Sequence, residues 1–264
     1  MKSNYSYKLL LPGISLLIAL ACGTPATLTA PTATPSPIPP TATPMPTISE
    51  QVTLVPEISA ETNQTPAFTI QSQTPQLAGS DDPRVQAFNQ RLDDLVKKEV
   101  DTFRQSFLQL TGPPITSGSS LEVTYALISQ IGDVWSLKFD FSFYSDGAAH
   151  PGSYSITLNY DLGQGRELAL GDLFIPNSNY LDAVSNYCIA ELGKQPFFEG
   201  FFVEGANPTP ENYRNWNISP AGLMITFDEY QVAPYAAGPQ TVIVPYGELK
   251  AVIDPHGPLG NLIQ

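Results

Sequence analysis

The pattern of hydrophobic and polar positions is clearest in the middle of the chain. Apolar residues recur at steps of three and four over residues 82–110, which predicts one long amphipathic helix. Asp82 is a suitable N-cap, and Pro83 fits the first helical position. Gly112, followed by two prolines, predicts the end of the helix. An apolar stripe of this width is typical of a helix face that packs against a core.

Period-two alternation follows and predicts a sheet. Three antiparallel strands, each with one apolar and one polar face, are expected at residues 121–127, 135–143 and 154–160. The later elements predicted are a helix at 179–192, strands at 223–227 and 241–244, and a short helix at 246–252. This order predicts an α+β fold, in which an antiparallel β-sheet meander carries helices packed on one face.

The N-terminus has the features of an export signal. Lys2 and Lys8 precede an apolar run that ends at Cys22; at about 14 residues it is shorter than the roughly 20 of a membrane-spanning helix. Small residues lead into Cys22, a pattern that resembles the lipobox of bacterial lipoproteins, in which the cysteine receives a diacylglycerol. The sequence therefore predicts a signal peptide at residues 1–21 and a lipid anchor at Cys22 on the extracytoplasmic face of the cell membrane. A secreted protein is the alternative.

Residues 23–80 have a composition typical of a spacer. They are rich in Pro and Thr and contain no Lys, Arg, Trp or Tyr. Such a segment favours polyproline II and buries too little apolar surface to fold. We therefore predict that residues 22–80 form a lipidated, disordered Pro/Thr-rich stalk and that residues 81–264 form a single α+β domain.

Charge and cysteine content restrict the possible partners. The predicted domain contains 22 acidic and 10 basic residues, without the cluster of Lys and Arg that nucleic-acid binding requires. Nucleic acid is therefore not an expected partner, whereas cationic proteins would be attracted. Cys188 lies among apolar positions of the predicted second helix and has no partner if Cys22 is acylated, so a buried, inert thiol is expected.

Two segments resemble a known family. Residues 145–174 contain a Gly-Ala-Ala-His turn, a strand, a glycine hairpin and a Leu-x-Asp-Leu-Phe ending. Residues 222–249 contain Tyr-x-x-Ala-Pro-Tyr-Ala-x-Gly, then a strand and Pro-Tyr. Together they resemble the extracytoplasmic domain shared by the anti-sigma factor RsiV, which recognises lysozyme, and the non-catalytic part of the peptidoglycan deacetylase PdaC. The resemblance covers roughly residues 121–252, and it implies an envelope protein that binds or senses a ligand.

The sequence offers few groups with catalytic chemistry. It has two histidines without metal-ligand spacing and no Gly-x-Ser-x-Gly elbow, so no cofactor, metal site or catalytic residue is predicted. His150 could act as a base with Asp146 as its orienting carboxylate; the alternative is a histidine that only caps its own loop.

Aromatic residues outside the regular patterns suggest recognition. Four phenylalanines fall within six residues, and two tyrosines bracket an Ala-Pro segment. Such residues on loops commonly bind partners, although the phenylalanines could instead fill the core edge and the tyrosines make structural hydrogen bonds. The ligand-binding candidates are Asp146, His150, Phe197, Phe198, Phe201, Phe202, Tyr230 and Tyr235.

These observations favour a lipid-anchored extracytoplasmic binding or sensing module of the bacterial cell envelope. The expected ligand is a basic protein such as a lysozyme-like hydrolase, or a cell-wall component. A cell-wall-acting hydrolase or esterase and a structural envelope spacer are the two alternatives. The oligomeric state has no sequence signal.

Overall fold

The computed structural model describes residues 47–108, 118–195 and 201–260. Within these ranges the chain forms three α-helices and nine strands arranged in two sheets. None of the helices described there is both long enough and apolar enough to cross a membrane.

The elements follow the chain in a simple order. The six strands of the larger sheet are β1 Thr53–Gln64, β2 Ala67–Ala78, β3 Ser119–Ile131, β4 Val134–Tyr144, β5 Gly152–Asp161 and β6 Arg166–Glu167. The smaller sheet contains β7 Trp216–Ser219, β8 Gly222–Phe227 and β9 Gln240–Val244. The helices are α1 Pro83–Leu108, α2 Tyr180–Leu192 and α3 Tyr246–Leu249.

The strand pairing confirms the predicted α+β class. All neighbouring strands pair antiparallel except β2 and β3, which are parallel. Parallel neighbours need a crossover connection, and α1 supplies it. The helices do not share one sheet face, because α1 packs on the larger sheet whereas α2 and α3 contribute to the core of the smaller sheet.

The predicted disordered stalk is wrong for β1 and β2. Phe68, Ile70 and Leu77 of β2 are buried in the core beneath α1. Phe68 and Ile70 alternate with polar residues, a period-two pattern within the Thr-rich composition. The prolines are tolerated because Pro56 lies on the edge strand and Pro75 lies beyond the part of β2 that pairs with β3. Residues 22–46 of the predicted stalk lie outside the described residues.

Two hydrophobic cores are separated by a layer of buried polar side chains. The first core lies between α1 and one face of the larger sheet, and the second lies around the smaller sheet and α2. Between them Ser136, Asn159 and Asn217 are buried, and we call these three residues the polar seam. The polar faces predicted for β4 and β5 are thus partly covered by β7.

Cys188 matches its prediction. The side chain is fully buried on α2 within the second core. Burial away from water raises the pKa of the Cys188 thiol to about 12, which keeps it protonated and unreactive at neutral pH.

Candidate functional site

Three of the predicted ligand-binding residues meet at one end of the larger sheet. His150 precedes β5, whereas Tyr230 and Tyr235 belong to the loop between β8 and β9. The rings of His150 and Tyr235 stack with centroids 3.9 Å apart, and those of Tyr230 and Tyr235 stack at 5.7 Å. The structure thus joins two sequence segments that are 80 residues apart.

A single backbone carbonyl, that of Pro151, positions two of these rings. Nδ1 of His150 lies 2.8 Å from the Pro151 oxygen, and Tyr235 Oη donates a hydrogen bond of 2.9 Å to the same oxygen. A carbonyl can only accept, so this geometry assigns the neutral imidazole proton to Nδ1. Nε2 is then free to accept from Tyr230 Oη, which lies 3.5 Å away.

Gly152 leaves room for the ring of Phe143 beside this cluster. Gly152 of β5 lies opposite Phe143 of β4. A Cβ atom at position 152 would lie 2.6 Å from Cζ of Phe143, so a larger residue would displace the ring. The glycine of the Ala-His-Pro-Gly turn therefore lets the Phe143 ring cover the backbone.

Residues 228–239, between β8 and β9, form the tyrosine loop, and residues that were not among the site candidates hold it in place. Gln231 Nε2 donates to the carbonyl oxygens of Gly205 and Asn212 at 3.0 and 2.9 Å. Gly205 packs so closely against Gln231 that an added Cβ would lie 1.8 Å from the backbone oxygen of Gln231. Tyr230 has φ of +63°, a strained conformation for a bulky residue. Tyr230 is nevertheless 56% exposed, so the loop presents this residue to solvent.

Asp228 ties the start of this loop to β5. Its Oδ1 accepts a 2.9 Å hydrogen bond from the backbone N–H of Ser155. Its Oδ2 accepts from Arg214 Nη2 at 2.5 Å and from Asn215 Nδ2 at 3.2 Å. Because Asp228 is buried and bonded on both oxygens, it positions the loop but is not available to a ligand.

A cleft of about 350 Å³ opens beside the cluster. It is lined by Phe143, His150, Pro151, Gly152, Ser153, Tyr154, Glu229 and Tyr230. Glu229 accepts hydrogen bonds from the backbone N–H and the hydroxyl of Ser153 at 3.1 and 2.6 Å. This lining contains a carboxylate but no Lys or Arg among the described residues. The volume lies at the small end of the range for small-ligand pockets.

The other predicted site residues are distributed differently. Asp146 is exposed, and its backbone N–H bonds to Ser119 Oγ. The described hydrogen bonds of His150 go to Pro151 of its own turn and to Tyr230, which fits the alternative of a histidine that caps its own loop better than a pair with Asp146. Phe201 packs against the second core, and Phe202 is 40% exposed. The positions of Phe197 and Phe198 lie outside the described residues.

Metal ligands do not cluster in the described parts of the chain. Within residues 47–108, 118–195 and 201–260, no group of three or more His, Cys, Asp or Glu side chains is arranged to hold a metal ion. The lining of the cleft itself offers aromatic rings, the His150 imidazole, one carboxylate and one serine hydroxyl.

Fold and site together define an α+β domain with a preformed tyrosine–histidine cleft. Residues 171–247 match the family described as a protein of unknown function, DUF3298. The peptidoglycan-N-acetylmuramic acid deacetylase PdaC of Bacillus subtilis is 26% identical over 172 residues, which cover 62% of this chain and 37% of PdaC. The esterase Rv3036c of Mycobacterium tuberculosis is 27% identical over 104 residues, 39% of this chain and 46% of the esterase. The chain thus spans less than half the length of these two relatives.

Solved structures share the fold. A crystal structure of a DUF3298 family member from Bacteroides fragilis superposes with a TM-score of 0.64 at 15% identity, covering 81% of this chain and 97% of the other. One from Pseudomonas aeruginosa gives 0.55 at 16% identity, covering 77% and 95%. Together with the relatives above, they confirm the predicted resemblance to the PdaC/RsiV-type domain.

Proposed function

We propose that the protein is an extracytoplasmic binding module whose tyrosine–histidine cleft recognises a basic protein, such as a lysozyme-like hydrolase. The observation that carries the proposal is the preformed aromatic cluster beside Glu229. A rigid site loses little conformational entropy when it binds, and tyrosine supplies apolar area together with a polar tip. The strained backbone of Tyr230 adds support, because such conformations concentrate at ligand-binding sites.

Charge favours a basic partner. The whole chain contains 25 acidic and 12 basic residues. This excess attracts cationic proteins, but exposed charges are screened beyond about 8 Å at physiological salt. Specific recognition therefore needs anchors that become buried on binding, and Tyr230 lines the cleft and is the more exposed of the two tyrosines.

The test is a titration of the domain with lysozyme at low and at physiological salt, repeated with Tyr230→Asn. Asparagine accepts a positive φ better than tyrosine, so the variant should keep or slightly raise the melting temperature. Loss of an anchor ring typically costs 2 kcal/mol or more, so we expect affinity to fall by roughly 30-fold. Ile58→Ala, on the exposed edge strand β1, is the control and should bind normally.

Binding that disappears at physiological salt and ignores the Tyr230 change would contradict the proposal. It would leave only nonspecific attraction between opposite charges. Retained affinity in Tyr230→Asn at physiological salt would place the interface elsewhere on the domain.

A hydrolase is the second candidate, because the Ser153 hydroxyl lies 2.6 Å from a Glu229 oxygen and two relatives are named as a deacetylase and an esterase. We favour binding because the His150 imidazole is directed to Pro151 and Tyr230, not to this hydroxyl, in the described contacts. The same protein preparation should therefore leave acetylated peptidoglycan fragments unchanged. Turnover that Ser153→Ala abolishes would favour the enzyme.

Membrane attachment belongs to the same proposal. Two acyl chains on Cys22 would suffice for stable anchoring. Cys22→Ser is therefore expected to release the protein from the membrane fraction or to leave an unprocessed precursor. Normal processing with unchanged fractionation of this variant would contradict a lipid anchor.

A further inference from the structure

We infer that the cleft binds a guanidinium group, presented as an arginine side chain on the surface of the partner. The inference rests on the proposed binding function and specifies the chemistry of its ligand. Its starting point is the juxtaposition of the Glu229 carboxylate with the exposed Tyr230 ring in a cleft without Lys or Arg among its described lining residues.

The charges around the cleft favour a cation. Glu229 uses one hydrogen bond per oxygen for Ser153, and each carboxylate oxygen retains a further lone pair. Glu99 is a second carboxylate near the cleft, because its Oε2 accepts a hydrogen bond of 2.8 Å from Oη of Tyr154, a lining residue. Lys98 approaches Glu99 at 3.7 Å but is 79% exposed, so it screens this charge weakly. An anionic ligand would meet net repulsion here.

The cleft walls favour a guanidinium over an ammonium. Phe143, Pro151 and Tyr154 contribute mainly carbon surface to the lining. A lysine ammonium is strongly hydrated and would lose that water, whereas a guanidinium is planar and weakly hydrated. A guanidinium can also stack its flat face on Tyr230 and, from its edge, donate to a lone pair that a Glu229 oxygen retains, which a compact ammonium does less well.

The shape of the site fits a side chain more than an extended ligand. The cleft volume of about 350 Å³ accommodates one long side chain and its neighbouring backbone. His150 and Tyr235 share the Pro151 carbonyl, and Gln231 holds the loop, so the rings are positioned before the ligand arrives. An arginine therefore has a defined slot, with the carboxylate as its polar end point.

The test compares short peptides that differ only in one side chain. Acetylated, amidated tripeptides with a central arginine, lysine or citrulline are titrated into the isotope-labelled domain, and chemical-shift changes of the cleft residues are followed. Citrulline is nearly isosteric with arginine but uncharged. We expect saturable binding of the arginine peptide, at least about 10-fold weaker binding of the lysine peptide, and no binding of the citrulline peptide.

Glu229→Gln supplies the matching change in the protein. Glutamine keeps an oxygen that can accept from Ser153 but removes the charge, so the fold should be retained and arginine affinity should fall at least about 10-fold. Glu122→Gln, at an exposed position of β3, removes a charge elsewhere and should have no effect. The peptide comparison needs no variant, so it still tests the inference if Glu229→Gln proves unstable.

The outcomes separate this inference from the proposed function. Equal affinity for the arginine and citrulline peptides, or an unchanged affinity in folded Glu229→Gln, would overturn the guanidinium site. Saturable binding of N-acetylglucosamine oligomers in the cleft without any arginine binding would overturn it in favour of a sugar site. Arginine peptides that bind while lysozyme does not would leave the site intact and refute the basic-protein partner. Lysozyme binding that is lost in Tyr230→Asn but unchanged in Glu229→Gln would support the basic-protein partner and refute the guanidinium site.

Discussion

A chain that begins at Gly79 is expected to unfold, or to melt far below a chain that begins at Thr47. The truncation removes β1 and β2, and with them the buried side chains of Phe68, Ile70 and Leu77. Burial of one large apolar side chain stabilises a protein by about 1.5–3 kcal/mol, so these three contribute about 5–9 kcal/mol. Whole domains are stable by only about 5–15 kcal/mol. The stability lost with these three side chains is therefore comparable with the total stability of a domain.

The contacts of β2 make this loss hard to recover elsewhere. Phe68 stacks on Phe107 and meets the edge of Phe103, both on α1, with centroids 5.2 and 6.1 Å away. The Leu77 backbone exchanges hydrogen bonds of 2.8 and 2.9 Å with the Asn89 side chain. Removing β2 exposes this face of α1 and also leaves β3 as a free sheet edge.

Thermal unfolding followed by circular dichroism measures the effect. Two point variants on the intact domain isolate burial from length: Ile70→Ala removes a buried side chain, whereas Ile58→Ala removes one that is 73% exposed. We expect Ile70→Ala to lose about 2–5 kcal/mol and Ile58→Ala to change little. If the chain from Gly79 melted within a degree or two of the chain from Thr47, the two strands would not belong to the folded domain.

The elements predicted correctly are those whose periodicity is set by one buried face. The apolar positions of α1, β3, β4 and β5 face the first core at regular steps, so the pattern alone identifies these elements, although β7 also covers part of the polar face of β4 and β5. β2 carries the same alternation, but it lies in a segment rich in Thr and Pro, where average composition hides the period. Local pattern was the better guide there than composition.

The division into two sheets was not predictable from local pattern. β7, Trp216–Ser219, is only four residues long, and its polar positions are buried along with its apolar ones, so the short alternation does not show that both faces are covered. One of its faces belongs to the second core and the other meets the polar seam. Which polar residues of β4 and β5 become covered depends on contacts between residues about 60 to 80 positions apart.

The candidate site was predicted only as separate parts. His150 and the two tyrosines stood out as residues of two loop motifs, but their stacking depends on the fold. Gln231 gave no distinct signal, since an amide residue in a loop is ordinary. Gly205 was visible in the sequence as a glycine close to the phenylalanine cluster. The structure shows why a glycine is needed there, because the position packs tightly against Gln231.

Asn159→Ala is expected to be among the most damaging single substitutions in the domain, because Asn159 bonds β5 to β7 through both ends of its amide. Its Nδ2 donates 2.7 Å to the Trp216 carbonyl, and its Oδ1 accepts from Ser136 Oγ at 2.6 Å and from the Ile218 N–H at 3.3 Å. Asn159 is 2% exposed, so water cannot easily replace these bonds. Each buried group left without a partner costs about 1–3 kcal/mol.

The expected loss for Asn159→Ala is therefore about 2–4 kcal/mol, since the Trp216 carbonyl loses its side-chain donor while the Ile218 N–H keeps a 3.0 Å bond to Ser136 Oγ. For a domain of this size that corresponds to a fall in melting temperature of roughly 5–15 °C. Asn186→Ala is the matched control, because Asn186 is exposed on α2 and alanine is the better helix former. Melting temperatures within about 2 °C for the two variants would mean that the polar seam adds little to stability. The smaller sheet would then be held against the larger one mainly by apolar contacts at the margins of the seam.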